Sequence, residues 1–181
     1  MQLGVNHLGH FALTNLLLPC IRASGTARIV NVSSLAHKRG VINFDDINLQ
    51  KKYSPWVAYR QSKLANVLFT KELAKKLAGS DVTTYALHPG AIKTELGRHF
   101  GVWMHVIGLL LYPLFWLVIK TPVEGAQTSI YCAVEEGIEK YSGLYFSDCA
   151  VKESSKGSCD EGVAKKLWER SENMTSVSYP L

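Results

Sequence analysis

The chain has 181 residues, which is enough for one domain with a hydrophobic core of its own. Hydrophobic residues make up 47% of it and charged residues 19%, proportions that exclude a disordered, collagenous or coiled-coil chain and a multi-span transporter. The net charge of +5 is dispersed without a long Lys/Arg run, so no nucleic-acid partner is predicted. Four cysteines without a CxxC pair predict free thiols in a reducing compartment, and no cluster of histidines and cysteines predicts a metal site.

The hydrophobic pattern predicts helices and strands in alternation. In chain order we expect a helix over 1–22, a strand over 27–32, a loop over 35–54, a helix from Ser54-Pro55 to about Leu77, a strand over 82–87, a helix over 121–136, a short strand over 143–146, a loop over 147–160 and a helix over 162–171. Such alternation is typical of parallel sheets with right-handed crossovers, so the predicted fold class is α/β, with three strands and flanking helices. We expect the domain to span 1–172 and a loose C-terminal tail to follow over 173–181.

An apolar segment over 102–119 interrupts this alternation. It has 18 residues without a formal charge and contains Pro113, which would kink a helix. Three interpretations are open: a buried core helix, a membrane span that is just short for a bilayer core, and a flap. We favour a hydrophobic flap that covers an apolar substrate pocket and dips into the membrane interface.

Tyr59 and Lys63 form the strongest local signal for chemistry. Their spacing of four residues places both side chains on one face of the long predicted helix, one turn apart. A phenol is a poor base at neutral pH, but a neighbouring ammonium group stabilises its phenolate form. The pair therefore predicts a general acid and base, although the same spacing also occurs in ordinary amphipathic surface pairs.

Polar residues follow both longer predicted strands at their carboxyl ends. Ser33 and Ser34 follow the first strand, whereas Pro89 and Gly90 follow the second, with Thr94 four residues further on. In an open parallel sheet, ligands bind beyond the carboxyl ends of the strands, so we expect these residues at one crevice. The glycine permits close backbone approach to a ligand, and the threonine hydroxyl can bind an amide or a phosphate.

In this order and spacing, the motifs resemble the short-chain dehydrogenase/reductase family, and within it the retinol dehydrogenase branch. The matching stretches run from Gly4 to about Glu172 and are VNHLGHF, RIVNVSSLAH, YRQSKLAN, LHPG, KTPVEGAQTS, YFSDC and KKLW. The separation of 25 positions between Ser34 and Tyr59 is similar to that of the retinol-type branch. The resemblance implies a catalytic tetrad of Asn6, Ser34, Tyr59 and Lys63, and a cofactor site of Tyr59, Lys63, Pro89, Gly90, Ile92 and Thr94.

The resemblance also implies a role for each residue of the tetrad. Ser34 would hydrogen-bond the substrate oxygen, and Tyr59 would pass its proton during hydride transfer. Lys63 would hold the nicotinamide ribose, and Asn6 would anchor a relay that returns protons to solvent. The implied cofactor is NADP, with NAD not excluded by this chain, and the implied substrate is a lipophilic, retinol-like alcohol or aldehyde.

Location and assembly follow from the same resemblance. It implies a membrane surface as partner, at the cytosolic face of the endoplasmic reticulum, or a cytoplasmic location if a missing anchor is required. It also implies a homodimer that forms through the helix carrying Tyr59 and Lys63.

The chain departs from the family pattern ahead of Asn6. Only five residues precede it, and no G-x-G-x-x-G phosphate loop occurs anywhere in the sequence. We therefore expect the C-terminal portion of a doubly wound parallel-sheet (Rossmann) domain, a truncated form in which the strand over 27–32 is an exposed edge and cofactor binding is weak. The alternative hypothesis is a catalytically silent truncated isoform that acts as an interaction partner of the full-length enzyme. A membrane-embedded structural protein is a third hypothesis, which leaves the tetrad unexplained.

Overall fold

The computed structural model describes residues 1–92 and 119–180. In that part of the chain the helices are α1 (Gly9–Ala23), α2 (Pro55–Lys76), α3 (Pro122–Val134) and α4 (Glu161–Thr175), and the strands are β1 (Ala27–Val32), β2 (Val82–His88), β3 (Tyr145–Ser147) and β4 (Ala150–Val151). A π-helical turn over Gly4–Leu8 leads into α1, and 3-10 turns cover Leu35–Arg39, Phe44–Asp46, Glu139–Tyr141 and Lys156–Cys159. The predicted α/β fold class is confirmed, and every predicted helix and strand is found close to its expected place.

The four described strands form one sheet in the order β1-β2-β3-β4. β1 and β2 run parallel, with Asn31 opposite Ala86, and β2 and β3 run parallel, with Ala86 opposite Tyr145. The sequence pattern does not predict β4, which pairs antiparallel with β3 within the expected loop. Asp148 and Cys149 in the connecting turn both have a φ of 54°, and positive φ at both central residues is what a type I′ hairpin turn requires.

Helix α2 lies in the centre of the fold, packed against the sheet and against α4. Pro55 occupies its first turn, where a missing N–H leaves no bond unmade, and Gly79 follows its end with a φ of +83°. Every residue from Leu64 to Thr70 is buried, so the middle of the helix is enclosed on all sides. The position of α2 is therefore set by the core of the protein.

An aromatic cluster joins α1, α2 and α4. The indole of Trp168 lies 4.9 Å from the ring of Phe11 and 5.6 Å from the ring of Phe69, centroid to centroid. Tyr179 packs on Trp168 at 5.9 Å, and its hydroxyl donates to the carbonyl of Lys76 at 2.7 Å. The sequence predicts a loose tail over 173–181, whereas in the structure α4 continues to Thr175 and the ring and hydroxyl of Tyr179 both find partners.

Strand β1 forms one edge of the sheet. Among residues 1–92 and 119–180 it pairs with β2 alone, and its last residue, Val32, is 44% exposed. The preceding helix α1 also exposes Leu13, Leu16 and Leu17. An open strand edge is a position at which another strand can pair.

Two of the sequence predictions lie outside the described residues: the apolar flap over 102–119, apart from its last residue, and the cofactor contact of Thr94. None of the helices in the described ranges combines the length and the apolar character needed to cross a bilayer. All four cysteines lie within the described ranges and are free thiols, as predicted.

Candidate active site

Side-chain hydrogen bonds tie the carboxyl end of β1 to α2. Lys63 and Asn66 both donate to the carbonyl of Val32, at 3.1 and 3.2 Å. In the other direction, the hydroxyl of Ser33 donates to the carbonyl of Lys63 at 2.7 Å. These bonds fix the rotation of α2 about its axis, so the helix face that carries Lys63 is directed to the end of β1.

Tyr59 lies one turn before Lys63 on this face. The Lys63 ammonium nitrogen is 5.8 Å from the centre of the Tyr59 ring, and Trp56 packs edge-on against the same ring at 6.4 Å. Burial lowers the pKa of Lys63 because its charged form loses contact with water. The ammonium has three N–H donors and, among the described residues, gives one of them to Val32, so two are available to a ligand.

Ser34 begins the 3-10 turn that follows β1. Its backbone is extended, with φ −159° and ψ 156°, and its hydroxyl oxygen accepts the N–H of Ala36 at 3.2 Å. No acceptor for the Ser34 hydroxyl hydrogen is found among the described residues, so this hydrogen is available to donate to a ligand. The carbonyl of Ser34 accepts the N–H of His37 at 3.0 Å and faces Nδ1 of the same residue at 2.7 Å. Ser34 is therefore oriented by protein contacts on two sides.

Asn6 lies in the π-helical turn ahead of α1. Its side-chain amide donates to the hydroxyl of Ser62 at 3.1 Å and to the side chain of Gln2 at 2.8 Å. Ser62 donates in turn to the carbonyl of Tyr59 at 2.8 Å. Asn6 thus reaches the backbone of Tyr59 through one serine, and a π-helical turn is a frequent feature of functional sites.

The residues after β2 are held against Lys120. Gly90 has a φ of +95°, which favours glycine, and a Cβ at this position would lie 2.7 Å from the Lys120 side chain. Ile92 pairs with Lys120 in a parallel bridge, and a Cβ on Gly125 would lie 2.2 Å from the Ile92 side chain. Pro89 and Gly90 directly follow β2, whose carboxyl end lies beside that of β1.

The tetrad expected from the sequence gathers at one end of the sheet. Lys63 contacts Tyr59 and bonds to the strand residue two positions before Ser34, and Asn6 joins the same helix through Ser62. No direct hydrogen bond connects Ser34 with Tyr59 in the described structure. A phenol, an ammonium and a serine with a free hydroxyl hydrogen can together hold a substrate oxygen and move a proton to or from it.

Among the described residues, the groups that match a nicotinamide cofactor lie at its nicotinamide end. The two available N–H donors of Lys63 match the hydroxyl groups of a ribose, and Gly90 allows close approach of the backbone. The sequence has no glycine-rich loop for a pyrophosphate. The fit shown by the described residues therefore concerns the nicotinamide ribose.

Sequence reasoning placed Ser33 at the crevice but missed two polar residues of this site, Asn66 and His37. Asn66 had a partial signal, because it lies one turn after Lys63 on the same helix. No local signal identified His37, since one of its partners lies 118 positions away.

Comparison with known proteins identifies the class. A family model described as short chain dehydrogenase matches residues 2–104, more than half of the chain. The chain therefore belongs to the short-chain dehydrogenase family.

Its curated relatives include retinol dehydrogenases. Human retinol dehydrogenase 14 is 53% identical over 181 residues, covering 98% of this chain and 52% of the relative. Human retinol dehydrogenase 13 is 51% identical over 182 residues, covering 99% of this chain and 55% of the relative. The chain spans about half the length of the curated relatives that it matches.

Solved structures agree with the fold. A protein from Mycobacterium paratuberculosis is 36% identical and superposes with a TM-score of 0.71, covering 99% of this chain and 60% of that chain. An NADPH-bound carbonyl reductase from chicken fatty liver is 22% identical, with a TM-score of 0.56, and covers 82% of this chain and 54% of that chain. The second likeness concerns the fold alone.

Proposed function

We propose that this chain is an oxidoreductase that interconverts retinol-like lipophilic alcohols and aldehydes by hydride transfer with NADP(H). The observation that carries the proposal is the pairing of Tyr59 with Lys63, whose ammonium lies 5.8 Å from the ring and is bonded to the end of β1. Membership of the family supports the reaction class, and the names of the relatives support the substrate class. Because the chain covers about half of those relatives, its activity on its own is part of the proposal.

In the proposed reaction, Ser34 donates its available hydroxyl hydrogen to the substrate oxygen and so orients the reacting carbon. Tyr59 gives its phenolic proton to that oxygen when an aldehyde is reduced and takes a proton back when an alcohol is oxidised. Lys63 stabilises the phenolate form because its ammonium stands beside the ring. The nicotinamide cofactor, when bound, supplies or accepts the hydride.

Further residues would hold that cofactor. The two available N–H donors of Lys63 would bind the nicotinamide ribose, and Pro89, Gly90, Ile92 and Thr94 would line its nicotinamide end. Asn6 would support Tyr59 through Ser62 and begin a path for protons to solvent. We propose NADP over NAD on the basis of the retinol-type resemblance.

Tyr59→Phe tests the proposal in the purified chain, with NADPH binding followed by fluorescence titration and retinal reduction followed in parallel. We expect NADPH binding to persist and retinal reduction to fall about 10²- to 10⁴-fold, the usual contribution of general acid–base catalysis. Tyr53→Phe removes a hydroxyl from an exposed tyrosine and is the matched control, with full activity expected. Equal retinal reduction by Tyr59→Phe and the unmodified chain would refute the assigned role.

A second candidate function is that of a catalytically silent partner of a full-length retinol dehydrogenase. The open edge of β1 favours it, since the described residues pair this strand on one side only. A soluble, folded chain that binds no NADPH but co-elutes with a full-length retinol dehydrogenase would favour the silent partner. Saturable NADPH binding with retinal reduction that depends on Tyr59 would favour the enzyme.

We also propose that the substrate is drawn from a membrane surface, at the cytosolic face of the endoplasmic reticulum. The uncharged sequence over 102–119 supports this proposal. The purified chain is expected to sediment with phosphatidylcholine vesicles, whereas a Leu110→Glu/Leu114→Glu variant should stay in the supernatant. Sedimentation of both proteins, or of neither, would argue against a membrane contact through this segment.

A homodimer through α2 is a further proposal. The middle of α2 is buried within one chain, so the contact would use exposed residues near its start, Trp56 and Val57. Analytical ultracentrifugation of the unmodified chain and of Trp56→Ala is expected to show a dimer and a monomer, respectively. A monomeric unmodified chain would contradict this proposal.

A further inference from the structure

His37 connects Ser34 to a distant part of the chain. The residue is fully buried and lies in the 3-10 turn that follows Ser34. Its Nδ1 lies 2.7 Å from the carbonyl oxygen of Ser34, and its Nε2 lies 3.2 Å from the backbone nitrogen of Ser155, 118 positions later. Its ring packs against the ring of Tyr145 in β3, with the centroids 4.6 Å apart.

The two partners determine which ring nitrogen carries the hydrogen. A backbone N–H can only donate, so Nε2 of His37 presents its lone pair to Ser155. A carbonyl can only accept, so Nδ1 carries the hydrogen that is donated to Ser34. The neutral Nδ1–H form satisfies both contacts. Burial disfavours the charged imidazolium and so lowers the pKa of His37, which keeps the ring neutral.

The turn at Ser34 closes without this ring. The backbone N–H of His37 already donates to the Ser34 carbonyl at 3.0 Å, and the N–H of Ala36 donates to the Ser34 hydroxyl at 3.2 Å. What the imidazole adds is an attachment of this turn to the segment 154–159.

That segment is fastened on its other side to α2. Lys71 donates to the hydroxyl of Ser154 at 3.2 Å, and Ser155 caps the 3-10 turn Lys156–Cys159 by accepting the N–H of Ser158. The same helix carries Tyr59 three turns earlier. The imidazole therefore closes a connection that runs from Ser34 through the segment 154–159 to α2.

We propose that His37 is a positioning residue for Ser34: its two hydrogen bonds hold the Ser34 turn in place relative to α2, so that the Ser34 hydroxyl and the Tyr59 phenol meet the same substrate oxygen. This inference rests on the proposed function, because Ser34 needs accurate placement only if it binds the reacting oxygen. A displacement of about 1 Å at such a group can lower a rate about a hundredfold.

Two substitutions of His37 separate its two bonds. His37→Asn brings an amide nitrogen close to the position of Nδ1, which keeps the donor to Ser34 and removes the acceptor for Ser155. His37→Gln brings an amide oxygen close to the position of Nε2, which keeps the acceptor and removes the donor. We expect each variant to lower kcat for retinal reduction about tenfold with the Kd for NADPH unchanged, because the connection fails when either bond is lost. His10→Asn, at an exposed histidine, is the control.

A double-substitution cycle with Ser34→Ala distinguishes positioning from a merely structural role. If His37 acts through Ser34, His37→Gln has no further effect on kcat once the Ser34 hydroxyl has been removed. A structural role would lower kcat by the same factor in both backgrounds, and that result would overturn the inference.

A pair of variants at Ser155 breaks the same bond without altering His37. Ser155 has a φ of −67°, which proline adopts, so Ser155→Pro removes the N–H donor together with the capping hydroxyl. Ser155→Ala removes the hydroxyl and keeps the N–H. The difference between Ser155→Pro and Ser155→Ala therefore measures the effect of the hydrogen bond from the Ser155 N–H to His37, even if a His37 variant fails to fold.

A readout that needs no turnover separates this inference from the proposed function. We expect hydrogen exchange at the amide of Ala36 to be about tenfold faster in Ser155→Pro than in Ser155→Ala, because the turn at Ser34 opens more readily. Imidazole nitrogen NMR should show the neutral Nδ1–H form of His37. Equal exchange rates, or an Nε2–H form, would overturn the inference even in a chain that reduces retinal. Faster exchange in a chain that does not reduce retinal would support the attachment while the proposed function fails.

Discussion

Acidification is expected to destabilise this protein through His7, a buried histidine in the π-helical turn. Its ring centroid lies 6.2 Å from that of Phe11 and 6.0 Å from that of Phe69. Nε2 lies 2.9 Å from the hydroxyl of Ser171, which already donates to the carbonyl of Leu167 at 2.8 Å, so the ring carries its hydrogen on Nε2. Nδ1 has no hydrogen-bond partner within the described structure, and its protonation would place a cation among aromatic rings.

The size of the effect follows from the pKa of this histidine. Burial lowers the pKa of His7 from 6.5 to about 4. As the pH falls, His7 takes up a proton in the unfolded chain before it does so in the folded chain. The contribution of neutral His7 to the free energy of unfolding is therefore complete above about pH 6.5 and is lost between there and about pH 4. Proton linkage gives a loss of about 2 kcal/mol of unfolding free energy at about pH 5 and about 3 kcal/mol at about pH 4.

Urea unfolding at a series of pH values measures this loss, and His7→Gln is the control. Glutamine can keep a donor for Ser171 near the position of Nε2, and it does not titrate. The pKa values of His37 and His88 are also lowered by burial, but both histidines are present in both proteins, so the difference between the two curves isolates His7. Parallel curves for the unmodified chain and His7→Gln would refute the reasoning.

Three further substitutions, two of them with a matched control, test packing and helix capping by urea unfolding. Gly40→Ala should cost about 1–3 kcal/mol, because its Cβ would lie 2.5 Å from the carbonyl oxygen of Arg60 in α2. Gly157→Ala has nothing within 4 Å of the new Cβ, and a loss as large as that of Gly40→Ala would contradict the steric argument. Trp168→Ala should cost about 3–5 kcal/mol through the loss of a buried indole, and a cost well below this range would argue against the aromatic cluster as a main element of the core. Thr121→Ala should cost about 1 kcal/mol, because Thr121 forms a reciprocal capping box at the start of α3, and Thr121→Ser should restore most of that stability.

The longer elements of the fold could be predicted because their signals are local. Pro55 and Gly79 frame α2 in the sequence, and the β-branched run over 27–32 predicts a strand. The same run also suggests a buried strand, whereas β1 is an edge strand whose residues are mostly half-buried. β4 could not be predicted from the sequence. It has only two residues, which pair once β3 is in place, and its hairpin turn contains Asp148 and Cys149 where glycine is the usual signal. The anchoring of Tyr179 also escaped prediction, since it depends on where tertiary packing places its partners.

In the candidate site, too, some features could be predicted from the sequence and others depend on tertiary packing. The spacing of Tyr59 and Lys63 and the position of Ser34 after a strand are visible in the sequence and hold in the structure. The bond from Lys63 to Val32 depends on the rotation of α2 against the sheet, which no local pattern specifies. The two contacts of His37 join segments that are far apart in the chain, so they become visible only after folding.

The burial of the middle of α2 on all sides limits where substitutions can change the substrate preference of such a site. Tyr59 and Lys63 belong to a helix whose following turns, from Leu64 to Thr70, are packed on every side, so the spacing of phenol and ammonium is a property of the core. A substitution within the buried stretch of α2, from Leu64 to Thr70, would disturb the stability of the whole protein. New specificities are therefore expected to arise in the connections that follow β2 and β3, which can vary in length and composition while the proposed catalytic pair, Tyr59 and Lys63, stays unchanged.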